Sequence, residues 1–247
     1  MLNKRIIPTL LLKNGSLVKT KKFKNFKYVG DPSNTVRIFN ELEVDEIAIL
    51  DISATQNNFK QDLKCLKEIA EECFMPLSYG GGINTLDKAK KIFDLGFEKI
   101  ILNTAAVSNK NLITQISNIY GSQAVIVAID VKKNFFGKKK VWISSGKKNT
   151  KKNPLEWAKE VELLGAGEIL LTSIDHEGTW QGFDYDLIKT VATNIAIPVI
   201  AHGGAGKISD ISKVINYSNA SAVALGSMVV YQKKDMGVLV NFPKMNL

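Results

Sequence analysis

The chain repeats its own strand–helix pattern after about 120 residues, and this repeat restricts the fold more than any other feature. Four apolar or glycine-rich segments of the first half recur in the second half. The aligned pairs are 7–11 with 126–130, 49–53 with 170–174, 79–83 with 201–206, and 101–104 with 224–227. Each half therefore predicts a unit of four strands and four helices.

Short apolar runs rich in β-branched residues alternate with stretches of helical periodicity. The eight predicted strands cover residues 5–10, 46–51, 77–79, 99–102, 124–130, 168–172, 199–201 and 222–225. These runs are apolar without strict alternation, which is typical of a parallel sheet covered by helices. The pattern favours the α/β class and a (βα)8 TIM barrel with a two-fold half-barrel repeat, and a doubly wound open sheet is the alternative.

The length of 247 residues suits a single barrel domain spanning residues 1–247. The repeat divides this domain into half-barrels at about 1–120 and 121–230. Residues 231–247 are predicted to form a short extended tail, because Pro243 and the β-branched residues before it oppose a helix.

Composition excludes several other classes of protein. No apolar run reaches the length of a membrane helix, and Pro8 interrupts the first apolar stretch too early for a signal peptide. Cys65 and Cys73 are the only cysteines, which gives neither a disulfide framework nor a metal-ligand spacing. We therefore expect a cytoplasmic protein that binds no membrane and holds no metal or other cofactor.

The net charge is +9, and lysines cluster at 19–27, 132–140 and 147–152. A nucleic-acid interface is one interpretation, but no recognition motif or interleaved aromatic pattern accompanies the lysines. A solvated surface explains most of this charge, and lysines in loops at one end of the fold would also suit a phosphate-rich substrate. We expect no nucleic-acid partner.

The two Gly-rich loops predict phosphate binding. Each loop follows a strand and precedes a helix, where backbone N–H groups attract anions. The loops follow the third and seventh strands, whereas Asn103-Thr104 and Gly226-Ser227 follow the fourth and eighth. Two such sites across a barrel mouth predict a long small-molecule substrate with a phosphate at each end. The residues assigned to its binding are Gly81, Gly82, Asn103, Thr104, Thr172, Gly203, Gly204, Gly226 and Ser227.

Several motifs together resemble one family, the cyclase subunit of imidazole glycerol phosphate synthase (HisF). They are KRIIP at 4–8, GGGI at 80–83, NTAAV at 103–107, SQAV at 122–125, SGKKN at 145–149, GAGEILLTSID at 165–175 and GGAGK at 203–207. The resemblance runs from residue 1 to about residue 230. It separates this family from the related barrel isomerase of the histidine pathway.

The resemblance implies a heterodimer with a glutaminase (HisH-like) subunit, whose ammonia crosses the barrel to a bis-phosphorylated ribulosyl nucleotide. Cleavage and cyclisation then give imidazole glycerol phosphate and an aminoimidazole carboxamide ribotide. Lys19 matches a substrate-binding lysine, and residues 20–30 are predicted as a loop that closes over ligand. The ammonia gate at the barrel bottom maps onto Arg5, Glu46, Lys99 and Glu168.

One departure concerns the two carboxylates that serve the family as general acid and base. The carboxylate of the fifth strand matches Asp130, but Leu11 stands where the first strand should carry the other, and Thr9 replaces a usual cysteine. Leucine exchanges no proton, and acid–base help is worth about two to four orders of magnitude in rate. Either the chemistry is altered or a neighbour such as Asp51 has taken over the role.

Two histidines also depart from the family pattern. His202 replaces a small serine before the second Gly-rich loop, and His176-Glu177 replace a usual Arg-Asp pair. A lone histidine is more often structural than catalytic, but both are expected at the barrel mouth and are therefore further site candidates.

Three functions follow from these observations. Paralogues of the family that this chain resembles receive ammonia from a glutaminase and pass it to amidation or amidination of a surface-polysaccharide sugar, and a retained ring with Leu11 in place of the carboxylate fits such a paralogue. A genuine cyclase subunit would make imidazole glycerol phosphate for histidine biosynthesis. A non-catalytic barrel that binds a phosphorylated ligand is the third. The sequence favours the paralogue.

Overall fold

A computed structural model describes residues 4–54 and 60–243. Its centre is a closed barrel of eight parallel strands, which confirms the α/β class and the TIM barrel and excludes the open sheet. The barrel closes because one strand, β10, pairs with β7 on one side and β11 on the other. The barrel strands are β1 (Arg5–Lys13), β4 (Ile47–Asp51), β5 (Leu77–Gly80), β6 (Lys99–Leu102), β7 (Val125–Lys133), β10 (Glu168–Ser173), β11 (Val199–His202) and β12 (Ala222–Leu225).

The four remaining numbered strands extend the first strand of each half-barrel into a hairpin. β1 leads into β2 (Ser16–Lys21) and β3 (Lys24–Gly30), and β7 leads into β8 (Lys139–Ile143) and β9 (Lys148–Asn149), all antiparallel. The prediction of a loop over 20–30 is therefore wrong, because most of this segment pairs as a strand. The lysine clusters lie largely on these two hairpins.

Helices surround the barrel, and their starts follow from local sequence. Asp31, Thr85 and Asp184 each accept a hydrogen bond from a backbone N–H of the first turn. Two helices carry proline in the first turn, where a missing N–H is tolerated. The helices are α1 (Pro32–Glu41), α2 (Leu63–Glu72), α3 (Leu86–Asp94), α4 (Thr104–Ser108), α5 (Asn111–Tyr120), α6 (Pro154–Leu163), α7 (Tyr185–Ala192), α8 (Ile208–Ser218) and α9 (Ser227–Val230), with a 3-10 turn at Ser122–Ala124.

Alternate residues of each barrel strand face the interior or the surrounding helices. In β1, Ile6 and Leu10 pack into the outer core, whereas Ile7 belongs to a separate interior cluster. The same alternation turns the side chains of Thr9 and Leu11 inward. The interior cluster comprises Ile7, Ala48, Ile101, Ile126, Ala128, Leu170, Ile200, Ala222 and Ala224.

The chain after α9 is described as far as residue 243. An isolated antiparallel bridge joins Tyr231 and Val238, and the described part of the segment contains no longer strand and no further helix. The residues 244–247 of the predicted tail lie outside the described part. Among the helices that are described, none has the length and apolarity needed to cross a bilayer.

Candidate functional site

Four charged side chains meet at the floor of the barrel, where the strands begin. Arg5, Lys99 and Glu168 are the first residues of β1, β6 and β10, and Glu46 directly precedes β4. Arg5 lies 2.7 Å from Glu46 and 2.6 Å from Glu168, and Lys99 lies 3.2 Å and 2.9 Å from the same carboxylates. The structure thus brings together the four residues that the sequence assigns to an ammonia gate, and we call them the floor ring.

The floor ring balances two positive charges against two negative ones. The side chains of Glu46 and Glu168 are only 3% and 10% exposed. Burial opposes the charge of Glu168, but hydrogen bonds from Arg5 and Lys99 outweigh it and hold the pKa of Glu168 below its ordinary value. Burial also opposes the charge of Arg5, yet the two carboxylates raise its pKa. The ring is therefore closed by ion pairs near neutral pH.

The interior cluster forms an uncharged column above the floor ring. Its members are aliphatic, and the two hydroxyls beside it bond within the sheet. Thr9 donates to the carbonyl of Ile7 at 3.4 Å, and Ser78 donates to the carbonyl of Ile47 at 3.3 Å. The column is a packed core, as in other barrels of this kind, so a small molecule passes only when side chains move.

At the other end of the barrel the strands open into a cavity. Its polar side consists of Asn103, which directly follows β6, and of Asp130, Thr172 and His202 on β7, β10 and β11. We call these four residues the polar row. Asn103 Nδ2 donates to Asp130 Oδ2 at 3.2 Å, and Thr172 Oγ1 lies 3.1 Å from His202 Nδ1.

Burial controls the titration of the polar row. It raises the pKa of Asp130 to about 7, because the hydrogen bonds from Thr172 and Asn103 do not outweigh it and the charge of Glu177 adds to it. Burial, assisted by the positive charge of Lys19, lowers the pKa of His202 to about 3. Near pH 7 the row therefore combines a partly protonated carboxyl group with a neutral imidazole, a pair suited to proton exchange with a ligand.

Opposite the polar row, the side chains around Leu11 are apolar. Leu11 lies there, 6% exposed, and is paired in register with Leu50 of β4 and Val18 of β2. Ile52 and Ile83 continue this surface. The place where the HisF resemblance implies a carboxylate is therefore an apolar wall.

Asp51 also lines the cavity, but its carboxylate is engaged by the turn after β4. Its Oδ1 accepts hydrogen bonds from the N–H and the hydroxyl of Ser53, at 2.8 and 2.7 Å, and from the N–H of Ala54 at 3.0 Å. The Tyr79 hydroxyl lies 3.4 Å from Oδ2. These bonds make Asp51 the anchor of a local turn, which argues against its replacing a lost catalytic carboxylate.

Glu177 fastens the β2–β3 hairpin across the mouth. Its carboxylate accepts hydrogen bonds from the Thr20 hydroxyl at 2.9 Å and from the N–H of Phe23 at 3.0 Å. The following residue, Gly178, has φ +69°, and a side chain there would collide with the carbonyl of Thr20. Sequence reasoning missed Thr20, Phe23 and Phe26 as cavity residues, because the hairpin reads as a lysine-rich loop.

The hairpin carries Lys19 into the cavity, where the side chain is almost fully buried. Burial lowers the pKa of Lys19, and the charge of Glu177 partly offsets this. The Lys19 ammonium lies against Gly226, where a Cβ would collide with it. Lys19 thus reaches from β2 to the turn after β12.

The two Gly-rich loops differ in their relation to the cavity. Gly81 and Gly82 line it together with Thr104, and a Cβ on Gly81 would lie 2.7 Å from the Asp51 carbonyl oxygen. The second loop packs instead against the chain after β10, since a Cβ on Gly204 would collide with the Gly182 carbonyl. Apart from the floor ring, the predicted site residues that lie outside the cavity lining are Gly203, Gly204, Gly226, Ser227 and His176.

The structure does not bring His176 to the cavity, although the sequence places it at the mouth. Its Nδ1 lies 2.8 Å from the hydroxyl of Ser173, in the turn that follows β10. This contact gives His176 a structural partner of its own.

Fold and site together define a TIM barrel with an ion-paired floor and a mouth lined by buried titratable side chains. The family described as "Histidine biosynthesis protein" matches residues 5–235. The chain is 49% identical to "Putative imidazole glycerol phosphate synthase subunit hisF2" of Pseudomonas aeruginosa, over 100% of this chain and 98% of that protein. It is 42% identical to "Putative imidazole glycerol phosphate synthase subunit hisF3" of Vibrio vulnificus, over 98% and 94%.

A third relative is the imidazole glycerol phosphate synthase subunit HisF of Sulfolobus acidocaldarius, 45% identical over 91% of this chain and 90% of that protein. The chain belongs to the histidine biosynthesis protein family, among its HisF members. The predicted resemblance is thereby confirmed.

Proposed function

We propose that the chain is the barrel subunit of a cytoplasmic glutamine amidotransferase complex. A glutaminase subunit binds the floor as a heterodimer partner, and its ammonia crosses the floor ring and the uncharged column to the mouth. The observation that carries this proposal is a complete, ion-paired ring directly beneath an aliphatic barrel interior.

A closed ring of ion pairs suits the passage of a neutral nitrogen. Ammonia carries no charge, so entry into an aliphatic column costs it much less free energy than it costs ammonium or other ions, which would have to lose the hydration of a full charge. Each cation of the ring contacts both carboxylates, so one contact can open while the other still compensates the buried charge. The ring can therefore open as a gate without leaving a buried charge unpaired.

We further propose that the ammonia goes to amidation or amidination of a surface-polysaccharide sugar. The apolar wall at Leu11 lacks the second acid–base group that cyclisation requires in the family, and the hydrogen bonds of Asp51 leave it unsuited to replace that group. The numbered names hisF2 and hisF3 of two relatives fit this proposal of a diverged copy.

Genuine cyclisation to imidazole glycerol phosphate is the second candidate. It is favoured by Asp130 in the polar row, which can exchange a proton, and by the buried Lys19 and the glycines Gly81 and Gly82 at the cavity wall, which suit a phosphorylated substrate. In that case the mouth would hold the bis-phosphorylated nucleotide itself.

An ammonium-dependent assay separates the two candidates. The purified chain is given the ribulosyl nucleotide and excess ammonium salt, beside a relative that has aspartate at the position of Leu11. We expect turnover at least about a hundredfold lower than that of the relative. Equal turnover would establish the cyclase instead. Leu11→Asp, with Leu11→Asn as its matched control, shows whether the carboxylate alone is missing, because only the aspartate then restores turnover.

Co-purification with a HisH-like glutaminase tests the complex. We expect a heterodimer whose glutamine-derived ammonia appears at the mouth. Lys99→Met removes one cation of the floor ring. It should let ammonia escape at the floor and so change the amount that reaches the mouth, without preventing phosphate binding. If no complex forms with the glutaminase, both ammonia-based functions are wrong. The third function, a barrel that only binds phosphorylated ligands, would then be the best explanation.

A further inference from the structure

Asp130, Thr172 and His202 stand side by side on three neighbouring strands. The parallel register pairs Thr172 of β10 with Asp130 of β7 on one side and with His202 of β11 on the other. All three residues are buried and line the cavity, so they lie on the interior faces of their strands. Their side chains therefore meet at one level of the mouth, with Thr172 in the middle.

The Thr172 hydroxyl lies between the His202 imidazole and the Asp130 carboxyl group. Its Oγ1 is 3.1 Å from Nδ1 of His202, and the strand register places Thr172 beside Asp130, whose ionised form it stabilises. A hydroxyl has a single proton to donate, so it donates to one neighbour and accepts from the other. The second ring nitrogen of His202, Nε2, has no protein partner in the part of the chain that the structure describes.

A single hydroxyl proton between these two groups can couple their protonation states. When Asp130 is ionised, Thr172 donates to the carboxylate and accepts from the Nδ1–H of His202, so Nε2 offers a lone pair to the cavity. When Asp130 is protonated, it donates to Thr172, Thr172 donates to Nδ1, and the imidazole proton resides on Nε2.

We propose that Nε2 of His202 is a second proton-exchange position of the mouth, connected to Asp130 through Thr172. A proton accepted by Nε2 from a ligand releases the Nδ1 proton to Thr172, whose own proton passes to Asp130. The reverse sequence delivers a proton from Nε2 and leaves Asp130 as the carboxylate. Only O–H and N–H bonds form and break, and the imidazole never becomes a cation.

Other charged groups around the cavity favour this neutral imidazole. Lys19 of β2 places a positive charge near His202, which disfavours the imidazolium, and Glu177 favours the protonated form of Asp130. Asp51 is the remaining carboxylate of the described lining. The inference deepens the proposed function and rests on it for the nature of the ligand, whereas the chain of hydrogen bonds is testable without one.

Nuclear magnetic resonance of the full chain tests the connection. Nitrogen shifts of the imidazole identify which ring nitrogen carries the proton, and the carboxyl carbon shift of Asp130 follows its titration. His176→Gln removes the other imidazole signal, because the chain has two histidines. With rising pH we expect His202 to change from the Nε2–H to the Nδ1–H tautomer without passing through a cation. The midpoint should equal that of Asp130, near pH 7.

Three variants isolate the path. Asp130→Asn should hold His202 in one tautomer throughout the titration, and Thr172→Val should do the same while Asp130 still titrates. Thr172→Ser keeps the hydroxyl and should preserve the coupling. The proposal is overturned if His202 becomes a cation with a midpoint near about 6.5, or if the tautomer change survives Asp130→Asn. These measurements need no glutaminase, so their failure is distinct from failure to form the complex.

Discussion

Two buried carboxyl groups of the same barrel respond to burial in opposite ways. Glu168 at the floor contacts Arg5 and Lys99, and its pKa lies below the ordinary value. Asp130 at the mouth accepts a hydrogen bond from the neutral amide of Asn103 and has no ion pair with any described residue, and its pKa is raised to about 7. Burial opposes charge at both positions, so the presence or absence of a cationic partner decides the outcome.

This difference suggests separate roles for the two ends of the barrel in the proposed function. At the floor each carboxylate is ion-paired with two cations, and in the proposed gate the ring opens without a change of protonation. At the mouth no cation of the described residues forms an ion pair with Asp130, so its carboxyl group can exchange a proton near neutral pH. Changing the partner of either carboxyl group is therefore the most direct way to test the comparison.

The largest effect is expected from breaking the floor ring at Glu46, which contacts both cations. Glu46→Gln leaves two cations facing one carboxylate, and removing one partner of a buried pair costs about 3 kcal/mol or more. Urea denaturation at pH 7 should show this loss in the free energy of unfolding. Asp87→Asn, which breaks the exposed pair Asp87–Lys91, is the control and should change stability little. An equal loss in the two variants would contradict the importance of the ring.

The next effect is a dependence of stability on pH at Asp130. Its pKa rises from an ordinary 3.8 to about 7 on folding, so the folded state binds more protons between these values. Wild-type stability should therefore fall as pH rises through this window. Asp130→Asn abolishes that change, and the difference in unfolding free energy between the variant and the wild type should move by about 2–3 kcal/mol from pH 5 to pH 8.

Glu168→Gln provides the matched comparison of opposite sign. The pKa of Glu168 is lowered on folding, so its stabilising contribution is present above the ordinary value of 4.5 and is lost as pH falls below it. The Gln variant should therefore approach wild-type stability in acid and fall behind it at pH 7. Parallel curves for the Asp130 and Glu168 variants would refute the contrast between floor and mouth.

A smaller effect is expected at Glu177, which holds the β2–β3 hairpin and also raises the pKa of Asp130. Glu177→Gln weakens two hydrogen bonds to a charged acceptor, at about 1–2 kcal/mol in total. Hydrogen exchange should accelerate in residues 16–30, and the pKa of Asp130 should fall because a negative neighbour is gone. Unchanged hydrogen exchange in the hairpin would show that Glu177 does not hold it in place.

The barrel was accessible from sequence because it depends on a periodic pattern. The floor ring was accessible because the resemblance to HisF implied its four positions, Arg5, Glu46, Lys99 and Glu168. In the structure the regular starts of the strands place these residues at one level of the barrel.

The mouth was less predictable because it depends on irregular chain and on contacts between distant segments. The β2–β3 hairpin has many lysines, and its sequence therefore predicted a loop. The hydrogen bond that holds it in place joins Thr20 and Glu177, which are 157 positions apart. Asp51 looked like a free carboxylate, because the N–H groups that engage it belong to the turn that follows it.

The smallest expected effect concerns the neutral donor on the other side of Asp130. Asn103 Nδ2 donates to Asp130 Oδ2 at 3.2 Å and stabilises the ionised form, so Asn103→Ala should raise the pKa of Asp130 further. The Asp130 carboxyl carbon shift measures this directly, and Glu177→Gln should move the same midpoint in the opposite direction. Were both substitutions to move it the same way, a general change in burial would explain the mouth better than specific partners. Opposite shifts would establish that a neutral donor and a nearby negative charge set the pKa of Asp130. At the floor, by contrast, cationic partners set the pKa of Glu168.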